Sequence, residues 1–176
     1  MLERSRRTVS QKLQFSKTLL VLAESVAGVE RLTLLASCCL QLQAVIQSHL
    51  IELQQAAKSM GYAEWQNLPV TIAQLTMLDA NNVWLPELKV LIQLSRQKDH
   101  WLNQLLTLNK TLVTKPARLE VDGKFAEDSG SINLIQTDGV VIDSSETITL
   151  SLPQCKWLWS ECDEFINHQR STTQEY

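Results

Sequence analysis

One stretch, residues 29–60, constrains the fold of this chain more than any other. Leu32, Leu35, Cys39, Leu42, Ile46, His49, Leu53, Ala56 and Met60 recur every three or four positions, the period of one face of an α-helix. The opposite side carries Thr33, Ser37, Gln41, Ala44, Ser48, Glu52, Gln55 and Ser59. It is polar yet nearly uncharged, since Glu52 is the only charge between Arg31 and Lys58. Solvent faces are normally marked by Lys, Glu, Arg and Asp. A long helix almost without them is covered on several sides, so the stretch reads as the central helix of a bundle.

The other helices follow from period and punctuation. Residues 5–27 show two apolar stripes: Val9, Leu13, Ser16, Leu20, Ala23 and Ala27, and beside them Phe15, Leu19, Leu22 and Val26. Gly28 reads as the residue that ends this helix, and so short a turn folds the next helix back antiparallel. The central helix ends near Gly61. Pro69 starts a third helix running to about Ala80, with Ile72, Leu75, Thr76 and Leu78 inward. Pro86 opens a fourth over residues 87–95, as proline does at a first helical position, with Leu88, Leu91 and Ile92 inward. A fifth spans 98–113 with an apolar arc from Trp101 to Leu112, and Lys115-Pro116 stops it. A last helix, 154–170, places Cys155, Leu158, Trp159, Cys162, Phe165 and Ile166 on one stripe, with residues 171–176 expected to fray.

Between Pro116 and this last helix the composition changes. Residues 117–150 hold three of the five glycines and are predominantly acidic, without a helical period. They read as an acidic linker or as a β-hairpin over 132–142 with Thr137-Asp138-Gly139 at its turn. The sequence therefore predicts an all-α fold. It is one helical domain over 1–176, a bundle of five to six helices with a linker or small β-hairpin before the last.

A chain of 176 residues can bury a core of its own. Its net charge of −3 points to neither nucleic acid nor membrane as the partner of the whole molecule. The charged start has no apolar segment with a cleavage site behind it, so no signal peptide is expected. No run of about 18 apolar residues predicts membrane insertion. Cys38, Cys39, Cys155 and Cys162 fall inside helices without a secretory context, so they read as reduced thiols of a cytoplasmic protein.

Several strings resemble a known family. Ser10-Gln11-Lys12-Leu13 stands near the start. Leu94-Ser95-Arg96-Gln97 precedes Trp101-Leu102 and Leu105-Leu106, and the closing helix begins with a tryptophan, Trp157. Together these resemble an uncharacterised family of small all-helical bacterial proteins, a domain of unknown function. The resemblance implies a cytoplasmic bacterial protein and transfers no catalytic residue.

The chain lacks the motifs of common chemistries: no phosphate-binding glycine loop, no nucleophile elbow, no dinucleotide turn. Helical bundles hold metals with Glu-x-x-His pairs, and none occurs. Glu164 and His168 lie four apart near Cys162, but one helix cannot close a tetrahedral site alone. Adjacent Cys38 and Cys39 point about 100° apart around their helix and do not chelate together. No cofactor is expected.

His49 occupies an otherwise apolar stripe, so it is a buried polar site in need of a partner; a backbone carbonyl, a Ser or Gln, or a carboxylate such as Glu24 would serve. Arg96 and His100 resemble the Arg-His pair of helical ribonucleases, at a shorter spacing. Arg4, Arg6 and Arg7, with Lys12 and Lys17, form a basic start that can contact phosphate or a protein. Trp157, beside Glu161, Glu164 and His168 and off the apolar stripe, is a candidate partner contact. These residues leave three function classes. The first is a non-catalytic interaction or adaptor protein that binds another protein. The second is a nuclease-like enzyme using Arg96 and His100, and the third is nucleic-acid binding through the first helix.

Overall fold

The computed structural model describes residues 1–115, 117–121, 124–125 and 148–173. Six α-helices appear among them: α1 Leu2–Ser25, α2 Gly28–Ser59, α3 Ile72–Met77, α4 Pro86–Arg96, α5 Trp101–Thr114 and α6 Leu152–Thr173. Single 3-10 turns at Ala63–Asn67 and Ala80–Asn82 flank α3. Three short strands precede α6: β1 Ala117–Val121, β2 Lys124–Phe125 and β3 Ile148–Leu150.

The fold is all-α, and α2 is its axis. It touches α1, α5, α6, β1 and β3. Leu32, Leu35, Leu42 and Ile46 are fully buried along its length, and Ser48 and Glu52 are buried as well. Its uncharged far side is thus covered in part by neighbours. By length and apolarity alone α2 could cross a membrane, but 56% of that apolar stretch is buried inside the bundle, as a core helix requires.

The turn between α1 and α2 differs from the sequence expectation. Gly28 opens α2 rather than closing α1: Val26 and Ala27 are extended, and Gly28 turns the chain at φ +58°. The reversal needs a left-handed residue, which glycine supplies without a Cβ clash. At the far end of α2, Gly61 (φ +80°) donates its N–H to Lys58 O, and Tyr62 N–H reaches Ala57 O. Those two bonds form a Schellman cap, which satisfies the last carbonyls of the helix.

Between α2 and α4 the expected helix over 69–80 shrinks to α3. Thr71 and Gln74 form a reciprocal capping box at its start, and Asp79 caps the next 3-10 turn through Asn81 N–H. These polar caps divide the segment into short pieces. Leu75 is buried, Ile72 and Leu78 are partly so, and Thr76 is exposed. The fifth helix starts three residues later than expected, with His100 at its N-cap.

The acidic stretch is structural at both ends. β1 pairs in parallel with β3, Ala117 opposite Ile148 and Leu119 opposite Leu150, and antiparallel with β2. Ala117 and Leu150 are buried against the bundle. Only Asp122 and Gly123 separate β1 from β2, a spacing that marks tight hairpins. The hairpin expected over 132–142 lies outside the described residues. α6 runs on to Thr173, past the point where fraying was expected, because Gln169 and Arg170 are tied down.

Candidate functional site

The last turns of α6 meet α1, α2 and α4 at a buried polar cluster. His49 is 1% exposed and Glu52 3%. The Arg170 guanidinium takes Glu52 bidentately, Nε to Oε1 and Nη2 to Oε2, both at 2.8 Å. It also donates to Ser10 Oγ and to the carbonyl of Arg6. Arg6 Nε stands 3.6 Å from Glu52 Oε1. On the other side His49 Nε2 lies 2.6 Å from Gln169 Oε1, and Gln169 Nε2 donates to the carbonyl of Glu87. That second bond fixes the amide's orientation, so His49 Nε2 carries a proton and donates. His49 Nδ1 faces Glu52 Oε2 at 3.6 Å.

Burial alone would raise the Glu52 pKa. The adjoining His49 ring and the Arg170 guanidinium bound to it outweigh burial and hold the carboxyl down to about 2. The cluster is anionic at its centre and cationic around it; His49 and Glu52 are buried, while Arg6 and Arg170 reach the surface. It joins four helices and offers no room for a substrate.

Open space lies around this cluster. A cleft of about 230 Å³ is lined by Leu94, His100, Trp101, Glu161, Glu164, Phe165 and His168. The α6 members stand at i, i+3, i+4 and i+7, one helix face. His100 Nδ1 is buried and finds no hydrogen-bond partner among the described residues. A second cleft of about 240 Å³ runs between α1 and α6, lined by Ser10, Gln14, Lys17, Trp159, Asp163, Asn167 and Arg170 among others. Lys17 covers the Trp159 ring there at 5.1 Å, and Trp159 Nε1 donates to Leu13 O.

The residues singled out from sequence are distributed as follows. His49 is in the polar cluster, partnered by Gln169 and Glu52 rather than Glu24, which pairs with Lys156. His100 lines the first cleft with Glu164 and His168, but Arg96 is exposed and donates to Leu78 O, and it lines neither cleft. Cys162 is fully buried, apart from Glu164 and His168 on the exposed side of α6. Among the described residues no group of three or more His, Cys, Asp or Glu could hold a metal ion.

The basic start is divided. Arg6 faces Glu52, Lys12 donates to Ala44 O, and Lys17 lies on Trp159. Arg4 and Arg7 are exposed without a side-chain partner among the described residues. Trp157 is 37% exposed on α6.

Sequence reasoning missed Glu52, Gln169 and Arg170. Gln169 continues the α6 stripe from Cys155, Cys162 and Ile166, and that continuation was the available signal. It also missed the fate of the second α1 stripe. The first is buried apart from Ala27; of the second only Leu19 is, while Phe15 is 53% and Leu22 48% exposed. Compared with known protein families, curated proteins and solved structures, the chain matches none.

Proposed function

We propose that this is a non-catalytic binding protein, of cytoplasmic and bacterial type, whose α1 receives an amphipathic helix of another protein. The observation that carries the reading is the outward stripe of α1. Phe15 and Leu22 lie two turns apart on one helix face, half exposed, with half-buried Val26 one turn further. Large apolar side chains left outward in register are an unpartnered face rather than scattered exposure. Gln11 and Thr18 border the stripe, and Arg4 continues it toward the N-terminus, with Arg7 close by. This surface is one helix wide and suits a helix laid along it, with acidic residues over the two free arginines.

Dispersal of the basic side chains supports a protein partner over nucleic acid, because Arg6, Lys12 and Lys17 are engaged within the bundle. Trp157 belongs to another surface: α6 packs on the flank of α1 that carries Ser10, Lys17 and Glu24.

The test pairs the wild type with Phe15→Glu/Leu22→Glu as baits, alongside sedimentation of each alone. A partner held by the wild type and lost by the double variant, with unfolding temperature within a few degrees, is expected. Equal capture by both refutes the reading. Self-association abolished by the substitutions replaces the foreign helix with a second copy of α1.

A second reading has one observation in its favour. His100, with an unpartnered ring nitrogen, shares a cleft with His168, Glu161 and Glu164, groups able to move protons on a small substrate. The nuclease form of that reading places Arg96 beside His100, whereas Arg96 is engaged at Leu78 O.

A further inference from the structure

Thiols gather where α2 packs against α6. Cys39 Sγ and Cys155 Sγ stand 3.7 Å apart on the two facing helices, 116 positions apart in the chain. Both residues are 0% exposed. A disulfide bond is about 2.05 Å long, so the sulfurs need to close by roughly 1.7 Å, a movement within the reach of side-chain rotation. The other two thiols are directed elsewhere. Cys38 Sγ contacts the carbonyl of Ser16 on α1, and Cys162 lies two helical turns beyond Cys155, about 10 Å along the axis.

We propose that Cys39 and Cys155 are a disulfide-modification site, converted by a peroxide-class oxidant into a covalent tie between the central and closing helices. The chemistry has two steps. The Cys155 thiolate attacks one oxygen of hydrogen peroxide and breaks the O–O bond; the thiol becomes a sulfenic acid and the other oxygen leaves as water. The Cys39 sulfur then attacks the sulfenic sulfur, forms the S–S bond and releases a second water. In sum two thiols lose two hydrogens and one peroxide becomes two waters.

Access sets when this happens. Contact with Cys39 and then burial raise the Cys155 pKa, so the docked Cys155 thiol is held protonated as well as buried, and the thiolate is the reactive form. Attack requires α6 to lift from α2, a local opening. Re-docking brings the sulfenic acid back to Cys39. The bond therefore records that α6 has opened and then holds it closed. This inference is independent of the proposed binding face on α1.

The test uses hydrogen peroxide on the full chain, followed by alkylation of the remaining thiols and peptide mapping without reduction. The expected product is a monomer with two free thiols, Cys38 and Cys162, and a linked Cys39–Cys155 peptide. Its unfolding temperature should exceed that of the reduced protein by up to about 10 °C, reversibly with a dithiol reductant. Cys162→Ala should form the same link and Cys155→Ala should not. Arg170→Met, which loosens α6, should form it faster. If Cys155→Ala fails to fold, the wild-type map decides alone. A predominant link through Cys38 or Cys162, dimers only, or four intact thiols even in mild urea would overturn the proposal.

Discussion

Glu52 shows how far a single residue can depart from its pattern. On the central helix it falls on the polar side, where a carboxylate ordinarily faces water, yet it is 3% exposed. Its partner Arg170 is 118 positions away, and no local spacing reveals such a pair. His49 was legible because it interrupts an apolar stripe; Glu52, the one charge on its face, sits among polar residues and does not stand out as buried. The physical consequence is pH dependence. The folded carboxyl titrates at about 2 and an unfolded one near 4.3. A carboxyl with a depressed folded pKa stabilises the fold above the unfolded value, and that contribution drains away as pH falls through the folded one. It is on the order of 3 kcal/mol at neutral pH. Urea midpoints of the wild type and Glu52→Gln, measured from pH 7 to pH 2, should converge between about pH 5 and pH 2. A gap that stays constant across that range would show that the charge of Glu52 contributes nothing.

At the scale of elements, long helices were legible and short ones were not. The caps of α3 and the 3-10 turns act within one turn, below the period that reveals a helix. The strands were hidden for another reason. β1 and β3 are neighbours in space but far apart in sequence, and each is too short to show alternation. Composition therefore read 117–150 as an acidic linker or a hairpin over 132–142, and neither reading placed Ala117 and Leu150 in the core, where they belong. β3 also leads straight into α6, so its anchoring sets where that helix begins. Leu150→Ala should cost about 2–4 kcal/mol, the range for a leucine lost from a packed interior. Trp159→Ala should cost less than the 3–5 kcal/mol of a fully buried tryptophan, since its ring is only partly covered. Equilibrium unfolding of both variants ranks them. A Leu150→Ala protein as stable as the wild type would mean the sheet is not part of the cooperative fold.

The whole molecule is held together at the end of the chain. The α1–α2 hairpin supplies the largest helix contact, but α6 touches α1, α2 and α5, and its last turns carry the bonds that join it to Glu52, His49, Ser10 and the carbonyls of Arg6 and Glu87. The first and last helices thus close on one another around the central one. Which α1 stripe would be covered was not legible, because two apolar stripes are equivalent until α6 chooses a flank.

This arrangement makes the C-terminal turns matter more than their exposure suggests. Ending the chain after Asn167 removes His168, Gln169 and Arg170 while keeping the apolar stripe from Cys155 to Ile166. Glu52 is then left buried with Arg6 and His49 alone. Breaking a buried pair by removing one partner costs about 3–5 kcal/mol, and the truncated chain should lose at least that much. Adding Glu52→Leu to the truncation should recover a large part of the loss, because a buried charge without its main partner is worse than an apolar side chain. The same substitution in the full chain should destabilise it by stranding Arg170. Urea unfolding of the four proteins forms a double-mutant cycle. A coupling near zero would mean that α6 is held by its apolar stripe and that the polar cluster merely follows.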